Sequence, residues 1–414
     1  MSFALSANYR GQCAKAADWL AAGVVFSLPW STSAASILIG LWLIAVIPAL
    51  DLDVLRSRLS RPPAYLAVAL CALGFAGMAW ADGIPLMERV YAAGSFARLL
   101  VVPLLFVQFS ISTRGYIVLY AFFASCLLLL ITSWVMVPLA AFFPNKRLGV
   151  PVRNYIAQGY EFSLCIAGLI FFAGQKWRES QRAHAALFVV LALVFAANIL
   201  WIATSRTIIF TLPVIAAMAA FRQFGWKSVL VVLAAALLYV SVGRLSSTYV
   251  NDRLESILLE AEAYKAGSND ITSGGERLEF WRKSIASIKA APVIGHGTGS
   301  ITDQFARAAA GKTGLQGGAA TNPHNQTFAV AIQLGVIGAV LLWAMWVSHI
   351  LMFRAPGTFL HGSFVEWMGL ILVLQNIGSS LLNSHLFDFT EGWIYVFGAG
   401  VMGGMITQKP QKPL

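Results

Sequence analysis

One histidine and a few arginines hold the chemistry that this sequence offers. His324 stands in Asn322-Pro323-His324-Asn325-Gln326, just ahead of an apolar run long enough to form a membrane helix. At a helix N-terminus the positive end of the helix dipole disfavours imidazolium, so this side chain is expected to be neutral near pH 7 and able to accept a proton. Such a residue suits a general base or an orienter of a hydroxyl, with Asn325 beside it to set its orientation. The plainer alternative is a histidine that only caps or packs. Of the other histidines, His184, His349 and His361 fall at or near the opposite side, which leaves His296 and His385 on the side of His324.

Lys146, Arg147, Arg153 and Arg206 fall in connections on that same side, where short loops usually avoid positive charge. Arg206 sits in Thr204-Ser205-Arg206-Thr207, a turn so tight that its guanidinium must lie at the membrane–water boundary. An anion at that depth, such as the diphosphate of a lipid, would explain these residues, because guanidinium presents a planar fork of donors to phosphate oxygens. The alternative is snorkelling to lipid phosphates or pairing with Glu161, Asp388 or Glu391. Asp270, Glu276 and Glu279 are possible bases too, although they equally suit helix caps or pairs with Arg277, Arg282 and Lys283. Gly295, Gly297 and Gly299 lack the spacing of a nucleotide fingerprint and read as a turn that closes the outer segment on the bundle. No Asp-x-Asp motif lies on this side, and the first turn there, near 31–33, has no carboxylate. Arginine is therefore expected in place of a divalent metal, with no metal and no other cofactor.

Composition fixes the elements that must position these groups. Of 414 residues, 58% are hydrophobic and 11% charged, against about 25% charged in a soluble domain, which excludes an ordinary soluble enzyme. The net charge of +11 does not indicate nucleic acid, because the basic residues punctuate apolar runs instead of covering a polar domain. Cys13, Cys71, Cys126 and Cys165 lack metal-ligand spacing and read as small packing residues. Apolar runs between breakers place twelve helices near 17–30, 33–50, 64–81, 95–109, 116–140, 159–174, 183–203, 207–221, 228–243, 326–350, 364–382 and 393–406. Arg56, Arg58, Arg61, Arg114, Lys176, Arg178, Arg182, Arg222, Lys227, Arg354, Lys409 and Lys412 then share one side, which the positive-inside rule makes cytoplasmic together with both termini. The polar start through Lys15 has no small-residue cleavage site and is not expected to be a removable signal. The expected division is nine spans in 1–243, a small helical domain on the outer side in 244–323, and three spans with a tail in 324–414. Within the outer segment, 252–266 and 276–291 read as amphipathic helices, the second preceded by capping-box spacing in Ser273-Gly274-Gly275-Glu276. Gly335 and Gly338, three apart, are expected to let helices approach closely.

The same residues carry a family resemblance. His324-Asn325, nine residues and then Gly335-Val336-Ile337-Gly338 resembles a signature of bacterial O-antigen ligases. Gly275-Glu276-Arg277-Leu278-Glu279-Phe280-Trp281, followed by the stretch from Pro292 to Gly299, resembles an outer-loop pattern shared by ligases, O-antigen polymerases and protein O-oligosaccharyltransferases. The resemblance implies an all-α, GT-C-like membrane bundle of about twelve helices with a small helical periplasmic domain, set in the bacterial inner membrane. It further implies metal-independent, inverting transfer of O-antigen from undecaprenyl diphosphate to a sugar hydroxyl of lipid A–core, in lipopolysaccharide biosynthesis. By the same resemblance Arg206 and Arg277 hold the donor diphosphate and His324 activates the acceptor. Arg153, Arg147, Arg282 and Asn325 are second-rank substrate contacts. Charge grows on the diphosphate as the glycosidic bond breaks, so arginines fixed there would favour the transition state over the ground state. A polymerase or a protein oligosaccharyltransferase would use the same donor, and both stay open as alternatives. A transporter would want ionisable groups near the midplane and inverted repeats, and neither is clear in this sequence.

Overall fold

The computed structural model describes residues 7–139, 142, 147–152, 154–203, 271–354 and 363–408, with scattered positions between 213 and 262. All regular structure among the described residues is helical. Among the described residues seven helices are long and apolar enough to cross a membrane: Thr32–Ala49, Pro62–Trp80, Leu86–Ile111, Gly115–Met136, Tyr155–Arg178, Arg182–Trp201 and Gln326–Phe353. In hydrocarbon only a helix satisfies its backbone hydrogen bonds within its own segment, which leaves runs of this composition little choice. In chain order the helices are α1 (Ala7–Ser27), α2 (Thr32–Ala49), α3 (Leu52–Leu59), α4 (Pro62–Ala76), α5 (Leu86–Ala97), α6 (Val101–Ile111), α7 (Gly115–Met136), α8 (Tyr155–Arg178) and α9 (Arg182–Trp201). There follow α10 (Ser273–Ala290), α11 (Ile301–Ala309), α12 (Gly314–Gly317), α13 (Gln326–Phe353), α14 (Phe364–Ser380) and α15 (Phe389–Ile406). α1 lies against α2 and α7, α6 against α15, α8 against α9, and α4 against α13. Trp42, Phe109, Phe162, Trp346, Trp367 and Tyr395 are among the large side chains buried between them.

The helix expected at 95–109 begins earlier, at Leu86. Glu88 and Arg89 make that stretch look too polar, but Arg89 spends its guanidinium on the carbonyls of Ile84 and Met78, both at 2.7 Å. α1 likewise starts at Ala7, ahead of the expected 17–30, and the short helix α3 was not expected; Asp51 caps it by accepting from Asp53 N and Val54 N. The cap of α10 is Thr272, whose hydroxyl accepts from Gly275 N at 3.1 Å, so the box placed on Ser273 is one residue late. The expected spans at 207–221 and 228–243, and the amphipathic helix at 252–266, lie largely outside the described residues.

α13 is broken at Gly335, which takes φ +62° and ψ −160°, a conformation essentially reserved for glycine. The break frees backbone groups, and the strap 292–299 takes them up. His296 N donates to Ile332 O and Gly297 N to Gln333 O, both at 2.9 Å, and Val336 N donates to Pro292 O at 2.8 Å. The strap is pinned on its other flank as well, where Thr298 N donates to Gly77 O at 3.0 Å and its hydroxyl to Gly74 O at 2.6 Å. A Cβ on Gly335 would overlap the Val293 carbonyl, and one on Gly295 the backbone of Gln333 and Leu334. The close approach at Gly335 is thus to a loop and not to another helix, because the loop replaces hydrogen bonds that a second helix could not supply.

Gly335→Ala should therefore cost at least about 2 kcal/mol of stability, read as a lowered midpoint of thermal unfolding in detergent. Gly40→Ala on α2, where an added Cβ would meet nothing within 4 Å, is the neutral control. Equal midpoints for both variants would show that the strap does not depend on the break.

Candidate active site

The strap and the break set the start of α13, and the site is built on that start. Asn325 is the N-cap, its Oδ1 accepting from Phe328 N at 3.1 Å. His324 precedes it in the left-handed region, with φ +52°, and its N–H donates to Asn322 Oδ1 at 2.8 Å across Pro323. This Asx turn fixes the backbone that carries the imidazole. The ring lies nearly parallel to Phe280 of α10, with centroids 6.1 Å apart and planes at 18°. Trp281, next on α10, meets Phe328 edge-on at 6.2 Å, so two aromatic contacts tie α10 to the start of α13.

The loop 381–388, between α14 and α15, supplies the polar partners. Asn383 Oδ1 lies 3.0 Å from His324 Nδ1 and also accepts from Asn322 Nδ2 at 3.3 Å. Its amide nitrogen donates to Asp388 Oδ2 at 3.0 Å, which fixes the amide with its oxygen toward the imidazole. An oxygen there accepts, so Nδ1 carries the proton and the lone pair is left on Nε2. Ser384 Oγ donates to Asn322 Oδ1 at 2.7 Å, Asn325 Nδ2 to Leu381 O at 3.1 Å, and Leu386 N to Gln326 Oε1 at 3.0 Å. The sequence pointed to His324 and to Asn325 but missed Asn383 and gave Asp388 only as a partner for arginine. The signal that could have found them is the polar run Asn383-Ser384-His385 in a short connection on the side of His324.

Burial is the first cause that holds the His324 imidazole below its ordinary value of 6.5; the hydrogen bond to Asn383 opposes it, and the nearby charge of Arg277 adds to the depression. The neutral ring expected from the helix dipole is thus favoured, chiefly through desolvation. Arg277 is half-buried on α10, one turn before Phe280, and its charge reaches His324. These two residues and Asn325 are brought together. Asn325 has both ends of its amide engaged with backbone, so it holds the chain that carries His324.

Arg282 points elsewhere on α10, with Nε 2.8 Å from Glu279 Oε2 and an Nη 2.5 Å from Oε1. Lys283 Nζ lies 3.7 Å from the same buried carboxylate and donates to the carbonyls of Gln316 and Gly318, both at 2.7 Å. Arg147 covers the ring of Tyr155, at the start of α8, with 3.9 Å to the centroid. Arg153 and Arg206, like Lys146, lie outside the described residues. His385, within the loop, is fully buried with Nδ1 3.4 Å from Asp388 and 3.6 Å from Glu391. Burial by itself pushes this imidazole down, but the two carboxylates outweigh burial and raise it to about 9. The three side chains have the ligand types of a cation site. The Arg98 guanidinium lies on the adjoining carbonyls of Leu386 and Phe387.

Residues 191–343 match the family model described as O-antigen ligase, a match that spans Arg277, His324 and Gly335 and supports membership of that family. No curated protein matches the chain.

A neutral imidazole reacts with diethyl pyrocarbonate and an imidazolium does not. The modification rate of the His324 peptide, followed by mass spectrometry, should fall to half its alkaline value only below pH 6.5, since burial and Arg277 hold its titration under that value. Half-loss of the rate above pH 6.5 would refute the neutral assignment.

Proposed function

We propose that this member of the O-antigen ligase family transfers O-antigen polysaccharide from undecaprenyl diphosphate to a sugar hydroxyl of lipid A–core. The observation that carries the reading is the imidazole of His324, whose Nδ1 faces Asn383 while Arg277 stands within electrostatic reach. In one displacement the acceptor oxygen attacks the anomeric carbon, the bond to the diphosphate oxygen breaks, and the hydroxyl proton passes to His324 Nε2. Attack opposite the leaving group inverts the anomeric centre. Undecaprenyl diphosphate departs with one more negative charge than it had as an ester, and Arg277 and Arg206 stabilise that charge as it grows. Arg153 and Arg147 serve as second-rank phosphate contacts, and Arg282 keeps a lesser role because Glu279 already holds it. Arginine takes the part that a divalent ion plays elsewhere, so the transfer is metal-independent. The enzyme sits in the inner membrane with both termini cytoplasmic. The segment 244–323 forms a small periplasmic domain over the site, and the chain completes about twelve spans.

The deciding experiment is a deletion strain in which lipopolysaccharide and undecaprenyl-linked glycan are separated and sized. Long polymer on the lipid carrier with bare core at the surface is the expected pattern. Single repeat units still joined to core would make the protein a polymerase, and an unchanged pattern of both would point to protein glycosylation.

In purified enzyme His324→Ala should lower the transfer rate by about 10²- to 10⁴-fold while donor binding stays close to wild type. Arg277→Ala should weaken donor binding and turnover together. Near-normal transfer by the first variant would eliminate the base, and unchanged binding and turnover in the second would eliminate the diphosphate contact.

A further inference from the structure

Arg98 opens the 3₁₀ turn Arg98–Leu100 that joins α5 to α6, in the middle of the span Leu86–Ile111. An arginine in such a place is costly unless it does something specific. Its guanidinium donates to three consecutive carbonyls of the loop that serves His324: Leu386 O at 3.3 Å, Phe387 O at 3.2 Å and Asp388 O. Those carbonyls lead directly into the N-terminus of α15. Two further features seat the side chain: Trp393 lies 5.7 Å beneath the guanidinium, and Gly392 leaves the space that one Nη occupies. Phe96 adds an edge contact to Phe387 at 4.9 Å. The other flank of the loop makes the hydrogen bonds to Asn322, His324, Asn325 and Gln326. The loop is therefore gripped on one side by Arg98 and on the other grips the start of α13.

We infer that Arg98 is a positioning residue, which acts through the 381–388 loop to hold Asn383 against His324 and so keeps the imidazole aligned for transfer. This rests on the reading that His324 serves the reaction. A planar fork spreads its donors over two Nη atoms and spans three carbonyls in a fixed arc, whereas the three donors of an ammonium radiate from one nitrogen on a flexible stem and do not reproduce that arc. Arg98 touches no reacting atom in this scheme, and its effect is on alignment.

The test uses full-length Arg98→Met and Arg98→Lys in lipid nanodiscs, with two readouts. Amide hydrogen exchange across 381–388 should speed up by roughly 10-fold or more in both variants, with exchange across α7 unchanged, because the opening is local. Turnover should fall by about 10-fold or more, with the donor KM within roughly 2-fold of wild type, as expected for lost alignment. Lysine keeps the charge and should restore little of either. If the methionine variant does not fold, the lysine variant carries the test. Wild-type exchange and turnover in a folded variant would overturn the inference, and so would full rescue by lysine. The two readings fail separately. Faster exchange in the Arg98 variants alongside full transfer by His324→Ala would refute the role of His324 and with it the catalytic half of this inference. Loss of transfer in His324→Ala with unchanged loop exchange in the Arg98 variants would refute this inference alone.

Discussion

A ring nitrogen can take a proton only if its lone pair is free and turned outward, and an imidazole left to itself exchanges both its tautomer and its orientation. Asn383 removes that freedom at His324. Its amide could face either way, but the nitrogen end is committed to Asp388 at 3.0 Å, so the oxygen must meet Nδ1. Much of the site follows from this one orientation. The loop 381–388 must present Asn383 at a fixed distance from the start of α13, and the side chains of Asn322, Asn325 and Gln326 each bond to that loop. An uncommitted amide would accept as readily as donate and would leave either nitrogen available.

The second constraint is that irregular backbone near a bilayer has to be paid in hydrogen bonds. The strap 292–299 and the break at Gly335 resolve this jointly, since the groups freed from the helix meet the groups of the strap. The same device does positional work. The strap follows α10 directly, so seating it in the break and against Gly77 sets where α10 can lie, and α10 carries Phe280 and Arg277. A long external segment otherwise has no reason to hold an arginine near a particular histidine.

His324 and the helix it precedes were legible because both signals are local: a cap residue, a proline and an apolar run. Asn383 was not, because nothing within a few residues of it says which partner its amide meets; that is decided by α13 and α14 lying side by side. Residue type and spacing alone do not separate Arg277 from Arg282; it was the family resemblance that put Arg277 first. They are five residues apart, about 140° around a helix; in the fold the charge of Arg277 acts on His324, while Arg282 is held by Glu279. Gly335 was misread for a different reason. A pair of glycines three apart serves equally as a helix contact or as a helix break, and the choice depends on a loop more than thirty residues earlier. The span expected at 95–109 starts as early as Leu86 because the carbonyls of Ile84 and Met78 absorb the Arg89 guanidinium.

The low proton affinity of His324 bears on how a base of this kind would act under the proposed chemistry. A sugar hydroxyl is a far weaker acid than imidazolium, so a buried imidazole cannot deprotonate it in advance. The proton can move only as the new bond forms and the oxygen becomes acidic. With diphosphate leaving, much of the driving force comes from the breaking bond, and the histidine contributes most by fixing the direction of the hydroxyl lone pair. That places the burden on alignment over basicity. A base set below its ordinary range by burial and by Arg277 is then no handicap, because it stays unprotonated and ready near neutral pH. The same arginine that discourages imidazolium in the resting site would be drawn to the diphosphate once donor is bound. Its pressure on His324 would ease as the proton arrives, so one positive charge would serve both halves of the reaction.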